Sequence, residues 1–226
     1  MSAKRKREIS SAAQSSTMQS SSGGERFDRN ADLTLIVGEG DELREFLVCS
    51  RSLARASPVF QQMLFGSFRE SRSLQNSSDP WVVTLPEDSA TVAKLLFSIV
   101  HGRFNDIPKS LSLHELVDVL VFTDKYDMTQ TIRPWVKDWV SSATSWQESL
   151  ETRDYITLIG VAWELGNVRV LETLTRRLIL ESTLNGQGQL CYSKPGRWEP
   201  IEDAYMPLAP LDFLGKGPRT HHVANC

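Results

Sequence analysis

Cysteine and histidine are the residues here with the widest chemical range, and their spacing organises none of it. Cys49, Cys191 and Cys226 stand far apart and are odd in number, which is neither a disulfide framework nor a metal-ligand pattern. They read as reduced thiols in an intracellular protein. His101 falls at the end of an amphipathic stretch, where a polar terminus interacting with the helix dipole explains it. His114 falls in a first helical turn facing solvent, and His221-His222 have no cysteine or carboxylate at ligand spacing. The chain has no phosphate loop, no Gly-x-Ser-x-Gly elbow and no His-Glu-x-x-His. Acidic pairs such as Glu87-Asp88 sit at turns, where capping accounts for them. The expectation is a protein that is not an enzyme, with no metal, no cofactor and no small-molecule substrate.

What remains is an interaction surface and the elements that must position it. At 226 residues, 40% hydrophobic, the chain has room for one domain with a real core and an appendage. Its net charge of −3 offers no basic excess for phosphate contacts, so nucleic acid is not the expected partner. No apolar run approaches the roughly 18–20 residues of a membrane span. The charged, Ser-rich N-terminus has no apolar core after its basic residues and is not a secretory signal. Residues 1–31 include the stretch Ser10–Ser22 and hardly any apolar residue. Such a segment cannot bury enough surface to offset its ordering entropy, so it is expected to be a disordered tail. Lys4-Arg5-Lys6-Arg7 within it reads either as a nuclear import signal or as a solvated basic end.

Order is expected to begin at Asp32. The alternation of Leu33, Leu35 and Val37 predicts a strand, Gly38–Asp41 a turn and Leu43–Val48 a second strand, together a hairpin. Ser50 is placed to cap a short helix through Ala56, and Ser57-Pro58 to open a second over Val59, Phe60, Met63 and Leu64. A polar insertion, Ser71–Asp79, precedes the β-rich run Trp81–Leu85. Val92, Leu95, Leu96, Ile99 and Val100 form a helical stripe that Gly102 ends. Ser112 and Glu115 form a capping box ahead of Leu116, Val117, Leu120 and Val121. Ile132, Trp135, Val136 and Trp139 share a face of the next helix, with Pro134 near its first turn. Trp135 and Trp139 could line an aromatic groove, but core packing is the expectation. Two more helices come next, about Thr152–Leu165 and Val168–Glu181, the second capped by Asn167. After Leu184 the regular signal fades.

This order is α+β, and its residues resemble a known family. Phe46-Leu-Val-Cys-Ser-Arg-Ser-Leu53, running on to Ser57-Pro58-Val-Phe60, resembles the BTB/POZ signature. Asp32–Val37 is similar to that family's opening strand, Phe97–Gly102 to its helix ending, and Phe122-Thr-Asp-Lys-Tyr126-Asp-Met128 to its Ala-Asp-Lys-Tyr-like step. His101-Gly-Arg-Phe104, Asp124–Trp139 and Trp163–Gly166 resemble the fungal branch. The resemblance implies a BTB/POZ fold, a small β-sheet flanked by helical hairpins, with a C-terminal helical extension. It divides the chain into a tail (1–31), a BTB/POZ domain (32–142), an extension (150–184) and an irregular tail (185–226). Asp32, Phe46, Leu53, Ser57, Pro58, Phe60 and Tyr126 are its signature core.

The chain departs from the pattern in two places. Cys49 stands where the signature has His, and Ser50 where relatives carry a basic residue that pairs with Asp32 in a charged pocket. Arg51 is one position along, about 100° round a helix. Many relatives also carry a helix before the first strand, exchanged within a dimer, and residues 1–31 lack the pattern for it, so a monomer or weak homodimer is expected. Phe65-Gly-Ser-Phe68-Arg-Glu70-Ser71 resembles the hydrophobic-x-Glu motif by which some relatives engage a cullin scaffold. Phe68 and Glu70 are therefore the candidate protein contacts, the alternative being that Phe68 covers a helix end. The resemblance implies a protein–protein interaction module. One reading makes it a ubiquitin-ligase adaptor, and the rival an oligomerisation module in the nucleus.

Overall fold

The computed structural model describes residues 24–71, 79–144, 152–194 and 197–200. Lys4–Arg7, most of the polar insertion and His221-His222 lie outside them. Four strands form a mixed sheet in the order β1-β3-β2-β4: β1 (Glu25–Arg26), β2 (Leu33–Val37), β3 (Arg44–Val48) and β4 (Val82–Leu85). β2 and β3 are the expected antiparallel hairpin, with Leu35 opposite Phe46. β4 returns parallel to β2, Leu35 opposite Val83. Along β2, β3 and β4 the period-2 pattern turns one face inward, burying Leu33, Leu35, Val37, Phe46, Val48, Val83 and Leu85.

Order does not wait for Asp32. β1 pairs in parallel with β3, Glu25 opposite Phe46, and the Phe27 amide donates to the Leu47 carbonyl at 2.8 Å. Phe27 is buried edge-on against Phe46 and Phe97, at centroid distances of 5.6 and 6.0 Å. A two-residue strand has no periodicity to read; pairing with β3, the buried Phe27 and ion pairs of Glu25 with Lys94 and Arg103 fix this segment.

The helices are α1 (Ser50–Ala56), α2 (Pro58–Phe65), α3 (Ala90–Val100), α4 (Leu113–Lys125), α5 (Arg133–Thr144), α6 (Thr152–Glu164) and α7 (Val168–Glu181). The expected caps of α2, α4 and α7 form as local chemistry dictates: Ser57 accepts from the Phe60 amide, Ser112 and Glu115 make a reciprocal box, and Asn167 accepts from Val170. Ser50, by contrast, does not cap α1; it is the first helical residue and Cys49 stands before it. Gly102 and Gly166 close α3 and α6 at φ +73 and +64, the left-handed region where a Cβ would be strained. On α3, Leu96 and Phe97 are fully buried.

α6 joins the same core, burying Tyr155, Ile156, Leu158, Ile159 and Val161, and α7 adds Leu174 and Leu178. The Tyr155 hydroxyl donates to the Leu174 carbonyl at 2.6 Å, tying the pair together. The region expected to be irregular after Leu184 departs from that reading where it is described. β5 (Ser182–Leu184), β6 (Leu190–Lys194) and β7 (Arg197–Pro200) form an antiparallel meander. Its first turn runs from Asn185, whose carboxamide oxygen accepts from the amides of Gln187 and Gln189, to Gly188 at φ +76. The strands are too short and polar for an alternation signal.

Candidate functional site

Residues of the signature meet in the core. The extended backbone of Ser57, imposed by the proline after it, ends α1 and aims the hydroxyl inward. That hydroxyl accepts from the Phe60 amide at 3.0 Å and donates to the Tyr126 carbonyl. The Phe60 and Tyr126 rings stack at 4.4 Å, almost parallel. Tyr126 in turn donates its hydroxyl to Asp88 at 2.6 Å, and Lys125 reaches the other Asp88 oxygen at 2.9 Å. Burial, then the bond to Asp88, pushes the Tyr126 hydroxyl far above its ordinary range, so it stays a donor. Asp88 is therefore a buried anchor for α4 rather than a turn cap; Ser89 caps α3. The assembly locks the α1–α2 hairpin to the end of α4.

A second cluster surrounds the start of α1. Asp32 accepts from both the amide and the hydroxyl of Ser50, each at 2.7 Å. Where a basic partner would make an ion pair, Ser50 donates two hydrogen bonds. The Asp32 carboxylate thereby takes up the free amide at the start of α1, while Arg51 is exposed to solvent. His101 is a second support, which reading it as a dipole partner missed: its Nε2 accepts from the Cys49 amide at 3.0 Å and its Nδ1 meets the Phe97 carbonyl at 2.8 Å. Burial lowers the imidazole below its ordinary range, keeping it neutral as this acceptor requires. Beside it, Arg103 lies 4.8 Å over the Phe27 ring and, with Lys94, holds Glu25. Nothing local in the sequence pairs His101 with a residue 52 positions away.

Phe68 and Glu70 stand together on the turn after α2. Phe68 is 52% exposed, and Phe65, one turn back, is also exposed. Behind them Trp81 donates its indole N–H to the Glu70 carbonyl at 2.8 Å, and its ring meets Phe65 edge-on at 5.9 Å. The turn's backbone is thus fastened to the sheet while two aromatic faces are left outward. Phe68 is thus exposed and Glu70 half-buried on a turn whose backbone is held at Glu70.

Trp139 is fully buried, its indole donating to the Pro108 carbonyl at 2.9 Å, and Trp135 stacks on it at 6.3 Å. Trp139 is core, as expected, whereas Trp135 is only partly buried, packing on the core's edge against the exposed Phe104. No helix among the described residues is long and apolar enough to cross a membrane.

No curated protein matches the chain. The family model of the BTB/POZ domain matches residues 25–138, half of the chain, beginning at β1 and ending inside α5. With the hairpin, the Ser57–Tyr126 lock and the paired helices in their places, the chain belongs to the BTB/POZ domain family, whose members are protein–protein interaction modules.

Proposed function

We propose that the chain is an adaptor that docks on a cullin-type ubiquitin-ligase scaffold through Phe68 and Glu70. The observation that carries this reading is the exposed Phe68, more than half open to solvent on a turn fastened through Trp81, with Glu70 two residues on. A rigid turn loses little conformational freedom on binding, which favours a tight contact from a small surface. α6 and α7 pack on the core beyond the matched domain, and the family resemblance implies that cullin-binding relatives carry supporting helices after the domain. The stretches His101–Phe104, Asp124–Trp139 and Trp163–Gly166 support placing the chain in the fungal branch.

The test is capture of fungal cullins by wild type, Phe68→Ala and Glu70→Ala, each checked for an unchanged melting temperature. Phe68→Ala should weaken capture by about thirtyfold, equivalent to about 2 kcal/mol at a central anchor. Glu70→Ala should weaken it less, as a rim residue. A wild type that captures no cullin removes the adaptor reading; full capture by a folded Phe68→Ala removes this site. The second reading, a nuclear oligomerisation module, is favoured by Lys4-Arg5-Lys6-Arg7, and a dimer that survives dilution would speak for it.

A further inference from the structure

α7 packs on the core through Leu174 and Leu178, and its opposite side is open. At about 100° per residue, Val168, Arg169, Glu172, Arg176, Ile179 and Leu180 fall within one arc of roughly 120° on that open side. All six are exposed, Val168, Ile179 and Leu180 at 68%, 67% and 76%. Three large apolar side chains left in water along about 18 Å of one helix face mark a contact surface. The face lies beyond residues 25–138 and so outside the matched domain. Glu172 and Arg176 are one turn apart, yet neither makes an ion pair among the described residues; Arg177 pairs with Glu181 at 2.8 Å.

The order of these six residues makes the face complementary to itself. A second α7, laid antiparallel across a two-fold axis level with Leu174, sets Val168 opposite Leu180, Arg169 opposite Ile179 and Glu172 opposite Arg176. The symmetry repeats each pairing twice. Apolar then meets apolar, the aliphatic stem of Arg169 covers Ile179, and acid meets base. Parallel packing in register would instead set Glu172 against Glu172 and Arg176 against Arg176. We propose that a second copy of this chain docks on this face, α7 antiparallel to α7, as an isologous dimer. One helix face is smaller than the roughly 800 Å² per partner of a stable interface, so the dimer is weak and dissociates on dilution. It makes no use of Phe68 or Glu70 and stands or falls independently of the adaptor reading.

Sedimentation equilibrium of the full chain tests this between about 10 μM and about 1 mM, the range in which a weak dimer dissociates. The wild type should pass from monomer to dimer across it. Glu172→Arg alone and Arg176→Glu alone each set like charges opposite one another, twice per dimer, and should lower the association constant by about tenfold. The double variant should restore it, because the pairs are then exchanged rather than lost. Both positions are exposed, so melting temperatures should not change. Leu180→Ser alters no charge and should also weaken association, which decides the matter if a charge variant melts lower. A wild type that stays monomeric at the highest concentration overturns the proposal. So does association that Leu180→Ser and the single reversals leave unchanged, or that the folded double variant fails to restore.

Discussion

His101 works as a neutral ring, accepting from Cys49 and held by Phe97. Asp28 favours its charged form and Arg103 disfavours it, but burial is the largest influence and lowers the folded pKa below the ordinary 6.5. As pH falls below about 6.5 the unfolded chain takes up this proton first. The contribution of His101 to stability is therefore complete above that pH and is lost as pH falls through the lower folded value. Urea midpoints at about pH 7.5 and about pH 5.5 should show a larger acid loss for wild type than for His101→Gln, which carries no titrating ring. Equal losses would mean that the imidazole is not held neutral. The same residue shows what a sequence conceals: its place at a helix end is legible, but its partner is set by the fold. Ser57 is the opposite case, because both its cap and its extended backbone are dictated by its neighbours.

At the scale of the element, α3 and β1 make contrasting predictions. Leu96→Ala should cost roughly 2–5 kcal/mol through lost burial and a cavity, a large share of a typical domain stability of about 5–15 kcal/mol. Lys94→Ala should be nearly neutral although Lys94 pairs with Glu25, because that pair lies at the surface and water screens it. Equal unfolding midpoints for the two variants would refute the facing of the helix. Phe27→Ala should cost about 3–5 kcal/mol if β1 is integral to the sheet. Brief proteolysis should then leave a fragment that starts no later than Glu25; a stable fragment starting at Asp32 would contradict this. Helices were legible because 3.6-residue stripes and caps are written within a dozen residues. β1, β6 and β7 were not, because strands this short exist only by virtue of their partners. For the proposed contact surface, the spacing of Phe68 and Glu70 was readable, whereas the fastening of the Glu70 carbonyl by Trp81 spans the insertion and was not.

At the scale of the molecule, one core runs from β1 to α7, so the helical extension is expected to unfold together with the domain rather than before it. A monomer or weak dimer at micromolar concentration is the expected state, since residues 1–31 carry no amphipathic pattern for a helix exchanged between copies. Light scattering across a dilution series checks this, and a dimer persisting at the lowest concentration would overturn it. The outer strands of the four-stranded sheet carry a further consequence. β1 has two residues and β4 four, and Pro80 and Pro86 lie on either side of the β4 run. Proline offers no amide to a neighbouring strand, and a border this brief is a poor template for a foreign one. A sheet that exists to seat helices is thereby also guarded against growing sideways into fibres, and substitutions that lengthen β4 past Pro86 would be expected to remove that guard first.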